Sequence, residues 1–327
     1  MPIRLPAEWE KQEYIILVFP SKKSDWKHSI DDIQNSYTLL IKTIIKYQKC
    51  VILCDNKAQL KQIFPQIKNI QFIQLETNDT WIRDFGAICI YENNELKILN
   101  FKFNAWGEKF DYEKDNAINT KLKEINFFKA TMENIDFVLE AGSIDTNGQG
   151  TLLTTQNCIF NKNRNPKLSK EKILKTLKKY FGVQEIIILK NGSLIGDDTD
   201  SHVDTLARFL DADTITYAKC YDSSDEHYAS LKNMEDELKK TNFNLVALPL
   251  PSAKFFLNER LPATYLNFIF INHALLVPIY KDKNDKIVLD ILQNFFPNKD
   301  VIGIDASIFI REHGSLHCAT MNYFLST

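Results

Sequence analysis

The sequence contains no apolar run long enough to cross a membrane. Its most apolar stretch, residues 266–280, is interrupted by Asn267, Asn272, His273 and Pro278, whereas a membrane-spanning helix needs about 20 mostly apolar residues in a row. The chain also lacks a basic patch, because its net charge is −2 and its lysines are spread along the whole length. Proteins that bind nucleic acid concentrate positive charge on one face. We therefore expect neither a membrane nor a nucleic acid as a partner.

Segments rich in glycine, proline and serine, which would mark a flexible linker, are also missing. The chain has 10 glycines and 10 prolines among 327 residues, and 44% of its residues are hydrophobic. That composition is ample for one continuous core. We therefore expect a single domain over residues 1–327.

Cysteine is sparse and scattered, with six residues in the whole chain. The chain opens with Met-Pro-Ile-Arg and without the apolar core of a signal peptide, so we expect reduced thiols and a cytoplasmic location. Cys50 and Cys54 have a spacing known from metal sites, but they flank the apolar run Val-Ile-Leu and no second pair accompanies them. A buried strand is the better interpretation of this pair.

Short β-branched runs alternate with amphipathic helical patterns along the chain. Apolar spacing predicts an α/β fold built from several strand and helix units of similar size, and an ordinary open α/β sheet is the alternative. The predicted strands are residues 14–19, 49–53, 70–75, 185–188, 245–248 and 301–304, and the predicted helices are residues 29–48, 57–64, 169–180, 225–239 and 285–295.

Residues 196–209 form the most acidic segment and end in an apolar pattern typical of a strand. In an extended chain alternate side chains share a face, so His202 and Asp204 would line one wall of a pocket. The preceding Asp197, Asp198 and Asp200 would repel one another unless a cation lay among them. The run therefore indicates either a metal ion or a cationic substrate.

Three further motifs place reactive side chains beside predicted strands. An Arg-Asp pair at 83–84 precedes the strand pattern 88–91. A glutamate at 140 ends an apolar run before the small-residue turn Ala-Gly-Ser. A cysteine at 318 follows the loop Gly-Ser-Leu-His. A buried glutamate is costly unless it is hydrogen bonded. Together these motifs supply a complete set for attack of a thiol on a cationic carbon: Cys318, His202, Asp84, Asp204 and Glu140.

Two other functions fit parts of this pattern. A metallohydrolase would use Asp197, Asp198, Asp200 and His202 as ligands, but it would leave the cysteine and the glutamate without a role. A non-catalytic protein that binds polyamines would keep the carboxylates and would not need the thiol.

The chain resembles the agmatine deiminases of the guanidine-modifying superfamily, which also includes arginine deiminases and bacterial peptidylarginine deiminase. Ala87, Ala141 and His313 depart from the usual family residues, and His313 lies in the loop that carries Cys318. The resemblance covers nearly the whole chain and rests on Leu5-Pro-Ala-Glu-Trp9, Phe19-Pro20, and residues 78–84, 140–150, 161–166, 197–208, 265–268 and 317–320.

The resemblance implies a five-bladed α/β-propeller, or pentein, with pseudo-fivefold ββαβ units and the active site in its central channel. It also implies that Asp84 and Asp204 accept hydrogen bonds from a guanidinium group. Cys318 would be the nucleophile and form a thiouronium intermediate, His202 would be the acid and base, and Glu140 would hydrogen bond to His202. No metal or organic cofactor is implied, and a homodimer or larger homo-oligomer is left open.

The far end of the substrate separates agmatine deiminase from its nearer rivals, arginine deiminase and amidinotransferase. Agmatine ends in an ammonium group, which calls for acidic residues and an aromatic wall. We expect Asp198 or Asp200 to face the entrance, and the resemblance implies that Trp81 covers the methylene chain. Arg83 and Arg208 are expected to point elsewhere, so the predicted substrate is the cationic guanidine agmatine.

Overall fold

The computed structural model describes residues 3–65 and 67–326. In this part of the chain the α-helices are α1 (Ile30–Ile44), α2 (Lys57–Ile63), α3 (Ile82–Phe85), α4 (Ala105–Glu108), α5 (Glu113–Asn116), α6 (Ile118–Glu124), α7 (Gln156–Ile159), α8 (Lys170–Phe181), α9 (Tyr228–Leu238) and α10 (Asp285–Phe295).

The strands of the same residues are short, as is usual for small sheets. They are β1 (Ile3–Arg4), β2 (Gln12–Val18), β3 (Lys49–Cys54), β4 (Ile70–Gln74), β5 (Ile88–Glu92), β6 (Glu95–Lys102), β7 (Thr131–Val138), β8 (Ile144–Thr146), β9 (Thr151–Thr155), β10 (Glu185–Leu189), β11 (Ala207–Phe209), β12 (Thr214–Lys219), β13 (Asn244–Pro249), β14 (Phe255–Phe256), β15 (Glu259–Arg260), β16 (Ile269–Ile271), β17 (Ala274–Ile279), β18 (Asp300–Asp305) and β19 (Thr320–Phe324).

Five separate sheets share one construction. In each, an antiparallel pair of strands is followed by a helix and then by a strand that pairs in parallel with the second one. These ββαβ units are β5-β6-α6-β7, β8-β9-α8-β10, β11-β12-α9-β13, β16-β17-α10-β18 and β19-β2-α1-β3. The α/β class is confirmed, and the alternative of one open sheet is wrong, because the described strands form several small sheets.

The two ends of the chain meet in the last of these units. Strand β19 pairs with β2 in antiparallel register, with Thr320 opposite Leu17 and Tyr323 opposite Tyr14. The unit is therefore completed by residues from opposite ends of the sequence. As a result, the loop that carries Cys318 is fixed against strand β2.

Helix α1 shows how the helices cover these sheets. Its residues Ile33, Tyr37, Leu40 and Ile44 are fully buried, and their spacing of three or four residues lies on one face of a helix. The strands below are buried too, with Ile15, Ile16 and Leu17 of β2 inaccessible to solvent. Among the described helices, none combines the length and the apolar character needed to traverse a bilayer.

One predicted local structure is wrong. The sequence predicted an extended segment from His202 onward, but residues 203–205 form a turn of 3-10 helix, and strand β11 begins only at Ala207. Asp200 and Ser201 have positive φ angles of 66° and 68°, a conformation that bends the chain before His202. His202 and Asp204 still face the same site because the turn, rather than a strand, brings them together.

Candidate active site

Cys318 lies in the loop just before strand β19 and is 6% exposed. Its Sγ atom lies 3.9 Å from Asp204 Oδ2, and the Asn267 side-chain amide donates to Sγ over 3.3 Å. The side-chain oxygen of Asn267, Oδ1, accepts from the backbone N–H of Cys318 at 3.2 Å. Burial and the nearby carboxylates of Asp204 and Asp84 raise the pKa of the Cys318 thiol well above its usual range.

Asp204 is fully buried and has one engaged oxygen and one free oxygen. Oδ2 lies 2.7 Å from His317 Nδ1, whereas Oδ1 has no hydrogen-bond partner. Burial alone would raise the pKa of this carboxyl, but the hydrogen bond from His317 and the charges of His317 and His202 bring it below its ordinary value. The free Oδ1 is therefore an acceptor ready for a donor on a ligand.

Asp84 occupies short helix α3 and accepts two hydrogen bonds from neutral groups. Trp106 Nε1 donates to Oδ2 at 2.9 Å, and the Gly142 backbone N–H donates to Oδ1 at 3.1 Å. Trp106 and Gly107 have positive φ angles of 55° and 96°, which turn the chain sharply here. Burial first, and then the charge of Asp204, raise the pKa of Asp84 well above its usual range.

His202 is 1% exposed, and neither of its ring nitrogens has a hydrogen-bond partner. Nδ1 lies 3.6 Å from Asp84 Oδ1, and Nε2 lies 4.0 Å from Glu140 Oε2. Burial lowers the pKa of His202 to about 3, against the opposing charge of Asp204. A buried imidazole without partners is costly unless another group uses it.

Glu140 follows strand β7 and is held by a residue that the motif analysis did not assign. Arg164 Nε donates to both of its oxygens, at 3.0 and 3.1 Å. Burial raises the pKa of Glu140, and Arg164 opposes this shift. The expected Glu140–His202 hydrogen bond is not formed, since 4.0 Å exceeds hydrogen-bond distance.

Gly142 explains why the turn after Glu140 consists of small residues. A Cβ atom added there would lie 2.7 Å from His202 Nδ1, 2.8 Å from Asp84 Oδ1 and 3.1 Å from Asp204 Oδ2. The backbone therefore approaches three of the predicted site residues at once. This agrees with the prediction that the small-residue turn permits close approach of the backbone.

A cavity leads to Cys318 and Asp84, and two tryptophans, Trp81 and Trp106, form part of its wall. Gly314 lies against Trp81, since a Cβ there would meet ring carbons at 2.4 to 2.7 Å. The cavity is otherwise strongly acidic and suits a cation. The titratable groups that also line it are Asp25, Asp79, Asp198, Glu312 and His313.

The two acids predicted at the entrance differ in position. Asp198 lines the cavity, and burial raises the pKa of its carboxyl. Asp200 does not line it, and its Oδ2 instead binds Arg164 and lies 3.3 Å from Lys109 Nζ. The expectation that Asp198 or Asp200 faces the entrance stays a prediction, and of the two it is Asp198 that lines the cavity, whereas Arg164 and Lys109 engage the carboxylate of Asp200.

Arg83 and Arg208 are directed away from this cavity, as the sequence predicted. Arg83 donates to the His317 carbonyl at 3.2 Å and to Asn322 Oδ1 at 2.6 Å. Arg208 binds Glu8 at 2.5 Å. Neither guanidinium lines the cavity.

The acidic run is not arranged as a metal site. Asp197 accepts from Thr199 and Ser201 within its own turn. In residues 3–65 and 67–326, the one cluster whose ligand types and spacing could hold a metal ion consists of Glu140, Cys158 and His202. The ligand set Asp197, Asp198, Asp200 and His202 is therefore wrong for this chain.

Four polar residues that hold this site had no role predicted from the sequence motifs. Trp106 binds Asp84, Arg164 binds Glu140, Asn267 binds Cys318 and His317 binds Asp204. Asn267 carried a usable signal, because it is one of the two amides that interrupt the most apolar stretch of the chain. Buried polar groups of that kind are normally hydrogen bonded and often functional.

The family match and the similar proteins reported next indicate that this chain is a hydrolase that acts on the carbon–nitrogen bonds of amidines. The chain belongs to the Porphyromonas-type peptidyl-arginine deiminase family, whose model matches residues 4–323.

Several individual proteins are similar over almost their entire length. The structure of C. jejuni agmatine deiminase with a cysteine-to-serine replacement and substrate bound is 48% identical, has a TM-score of 0.97, and covers 99% of this chain and 97% of its own. A Porphyromonas gingivalis structure provisionally named an arginine deiminase is 39% identical with a TM-score of 0.95, covering 98% of both chains. The Pseudomonas aeruginosa agmatine deiminase is 30% identical over 97% of this chain and 94% of its own length.

Proposed function

We propose that this chain is an agmatine deiminase, which converts agmatine and water into N-carbamoylputrescine and ammonia. The observation that carries the proposal is the position of the Cys318 thiol, which lies 3.9 Å from Asp204 Oδ2 and lines an acidic cavity. The similar C. jejuni and P. aeruginosa proteins are named agmatine deiminases, which supports the same substrate.

The acidic cavity favours a substrate that is cationic at both ends. Asp198 and Asp79 both line it, and a distal ammonium group between them would offset their mutual repulsion. A carboxylate at that end would add to the repulsion, and the buried Arg83 and Arg208 are not placed to neutralise it. Trp81 would cover the methylene chain of the substrate.

The guanidinium would bind between Asp84 and Asp204. Asp204 Oδ1 has no partner, and it would accept one N–H of the substrate. Asp84 would accept others in addition to those from Trp106 and Gly142, since an ionised carboxylate has about four acceptor positions. Charge-assisted hydrogen bonds of this kind are strong and would fix the plane of the guanidinium.

Cys318 would then pass its thiol proton to His202 and attack the central carbon of the guanidinium as a thiolate. The tetrahedral adduct would expel ammonia, which takes a proton from His202, and leave a thiouronium bound to Sγ. Neutral His202 would next remove a proton from water, which attacks the same carbon, and the C–S bond would break to release the urea product. Glu140 would stabilise the imidazolium form of His202 during the cycle.

Substrate binding would itself activate the thiol. Without a ligand, burial raises the pKa of Cys318 and lowers that of His202, so both groups are neutral near pH 7. A bound guanidinium places a positive charge beside Sγ and favours the thiolate. The same positive charge would lie between the carboxylates of Asp84 and Asp204. It would favour the ionised form of Asp84, whose pKa is raised without a ligand.

The proposal is tested by incubating the purified protein with agmatine and measuring ammonia and N-carbamoylputrescine. Cys318→Ala should lose turnover almost completely and keep its fold, because the nucleophile is removed while little volume is lost. Cys50→Ala is the matched control, since Cys50 is a buried thiol of strand β3 outside the cavity. Turnover by Cys318→Ala near the wild-type rate would contradict the thiol mechanism.

A second candidate is a peptidylarginine deiminase, which the name of the family favours. The same thiol, imidazole and carboxylates would serve that reaction. It would require a cation near the entrance, and Lys109 lies close to the acidic run, where it binds Asp200. Release of ammonia from a peptide ending in arginine would favour this candidate.

We also propose that the five ββαβ units form a five-bladed α/β-propeller within one catalytic domain over residues 1–327. Each unit contributes one site residue just before its first strand, which supports a shared central axis. Strand β19 pairs with β2, which supports closure of the ring. The five residues, in chain order, are Asp84 before β5, Glu140 before β8, Asp204 before β11, Asn267 before β16 and Cys318 before β19.

A further inference from the structure

His317 is a buried histidine with a carboxylate on each ring nitrogen. Nδ1 lies 2.7 Å from Asp204 Oδ2, and Nε2 lies 2.7 Å from Glu8 Oε2. The ring is 3% exposed. Its backbone is fixed as well, because the His317 N–H donates to the Asn267 side-chain oxygen at 2.9 Å.

The number of N–H donors that these two contacts need indicates the charge of the His317 ring. An ionised carboxylate only accepts, and neutral imidazole has a single N–H, so two such contacts need an imidazolium or one protonated carboxyl. Glu8 has no need of a proton, since it also accepts from Arg208 and from the Phe270 N–H. The charges of Arg208 and His317 lower the pKa of Glu8 against the effect of burial.

Asp84 has no hydrogen bond from an imidazole, and in this it differs from Asp204. Both of its acceptor contacts come from neutral donors, Trp106 and the Gly142 backbone. Asp204 is therefore the one of the two guanidinium-facing carboxylates that is bonded to an imidazole in the described structure. The hydrogen bond with His317 fixes Asp204 Oδ2, and Asp204 Oδ1 has no hydrogen-bond partner.

We propose that His317 is a positioning residue that stands as an imidazolium between Glu8 and Asp204, and thereby keeps Asp204 ionised and oriented for the guanidinium. The inference rests on the proposed function for the role of Asp204. The other titratable or charged groups around Asp204 and His317 are His202, Arg208, Arg83, Asp84, Asp145 and Cys318.

The charge state is measured directly by NMR on the wild-type enzyme labelled with ¹⁵N-histidine at pH 8. We expect one imidazole with both nitrogens protonated, whose signal is lost in His317→Gln and perturbed in Glu8→Gln. A neutral His317 at that pH would overturn the proposal. This measurement does not depend on turnover, so it remains valid even if agmatine is not the substrate, and ammonia release from agmatine tests that point separately.

The functional consequence is read from the pH profile of kcat/KM. In His317→Gln, Asp204 loses its cationic partner and takes up a proton at higher pH, so the acid limb of the kcat/KM profile should move to higher pH. Activity should approach that of the wild type at high pH. Glu8→Gln should shift the acid limb in the same direction but less than His317→Gln does, because the His317 imidazolium then loses one of its two carboxylate partners.

A merely structural role would give a different profile. His227→Gln is the matched control, since His227 is a buried histidine that accepts from the Ile195 N–H at 2.8 Å and does not line the cavity. It should leave the acid limb in place. If His317→Gln lowers kcat/KM by one factor at every pH, the proposal is overturned, and if that variant does not fold, the wild-type NMR signal and Glu8→Gln decide.

Discussion

Arg164 holds Glu140 through Nε at 3.0 and 3.1 Å, while the His202 ring remains 4.0 Å from the same carboxylate. The Arg164–Glu140 pair is almost fully buried, with side-chain exposures of 2% and 1%. Arg164 also binds Asp200 and donates to the Thr199 carbonyl at 3.0 Å. It therefore ties the glutamate to the acidic loop that leads into His202.

We predict that Arg164→Gln destabilises the protein by about 3–5 kcal/mol, because it leaves a buried carboxylate without its charge partner. Turnover should fall as well, since the loop before His202 loses its anchor. Chemical denaturation and kcat measure the two effects. Arg4→Gln is the control, because Arg4 pairs with Glu10 at the surface, where ion pairs contribute about 1 kcal/mol or less. Equal stability of the two variants would contradict the argument.

Gly142→Ala should abolish most activity with little loss of fold. The new methyl group would lie 2.7 Å from His202 Nδ1 and 2.8 Å from Asp84 Oδ1, so both groups would have to move. Displacements of about 1 Å in an active site cost on the order of 100-fold in rate. The control is Gly303→Ala, whose added carbon would have the flexible side chains of Ile279 and Leu289 as its nearest neighbours, at 3.0 to 3.3 Å. Near wild-type kcat/KM in Gly142→Ala would show that the turn is not closely fitted.

Asp84→Asn and Asp204→Asn should both reduce kcat/KM by orders of magnitude and should differ in stability. The pKa of Asp84 is raised and that of Asp204 is lowered, so loss of the negative charge is less costly at the first residue than at the second. Asp84→Asn should therefore cost little stability, whereas Asp204→Asn should cost more because His317 loses its ionised partner. Urea denaturation at pH 7 compares them. The opposite order of stability would mean that the two charge states are assigned the wrong way round.

The pH dependence of substrate binding should report Asp79. Burial, with contributions from Asp25 and Asp198, raises the pKa of Asp79 to about 7. A carboxyl with a raised pKa keeps its proton in the folded protein at a pH where the unfolded chain has lost it, so stability falls as pH rises from about 4 to about 7. A substrate cation bound beside Asp79 would favour the ionised form, so affinity for agmatine should rise as pH rises towards about 7.

Asp79→Asn should flatten both trends, which thermal unfolding and KM between pH 5 and pH 8 would record. Asp136→Asn is the control, because that carboxyl is exposed at the surface and its pKa is lowered by Lys102. A wild-type KM that is constant over this range would contradict a role for Asp79 in binding.

The sequence predicted the strand and helix alternation well because apolar periodicity is local. Helix α10, at Asp285–Phe295, coincides with the predicted range. The segment at 202–206 was predicted incorrectly because its conformation depends on two preceding residues with positive φ, Asp200 and Ser201. The side chains of Asp200 and Ser201 do not by themselves predict a left-handed backbone conformation.

Reactive groups were recognisable where a charged side chain interrupts an apolar pattern, as at Glu140. Their partners were not, because the contacts join distant parts of the chain. Glu8 and His317 are 309 residues apart, and no local pattern couples them. Asp200 was predicted at the entrance from its position near His202, but Arg164 and Lys109 determine its direction.

The central claim is that the enzyme acts on the guanidinium of agmatine, and the most direct test compares kcat/KM for agmatine, free arginine and a peptide ending in arginine. Agmatine should be preferred by at least about 100-fold, since a carboxylate against the cavity acids costs about 3 kcal/mol. Equal or faster ammonia release from either arginine substrate would contradict it.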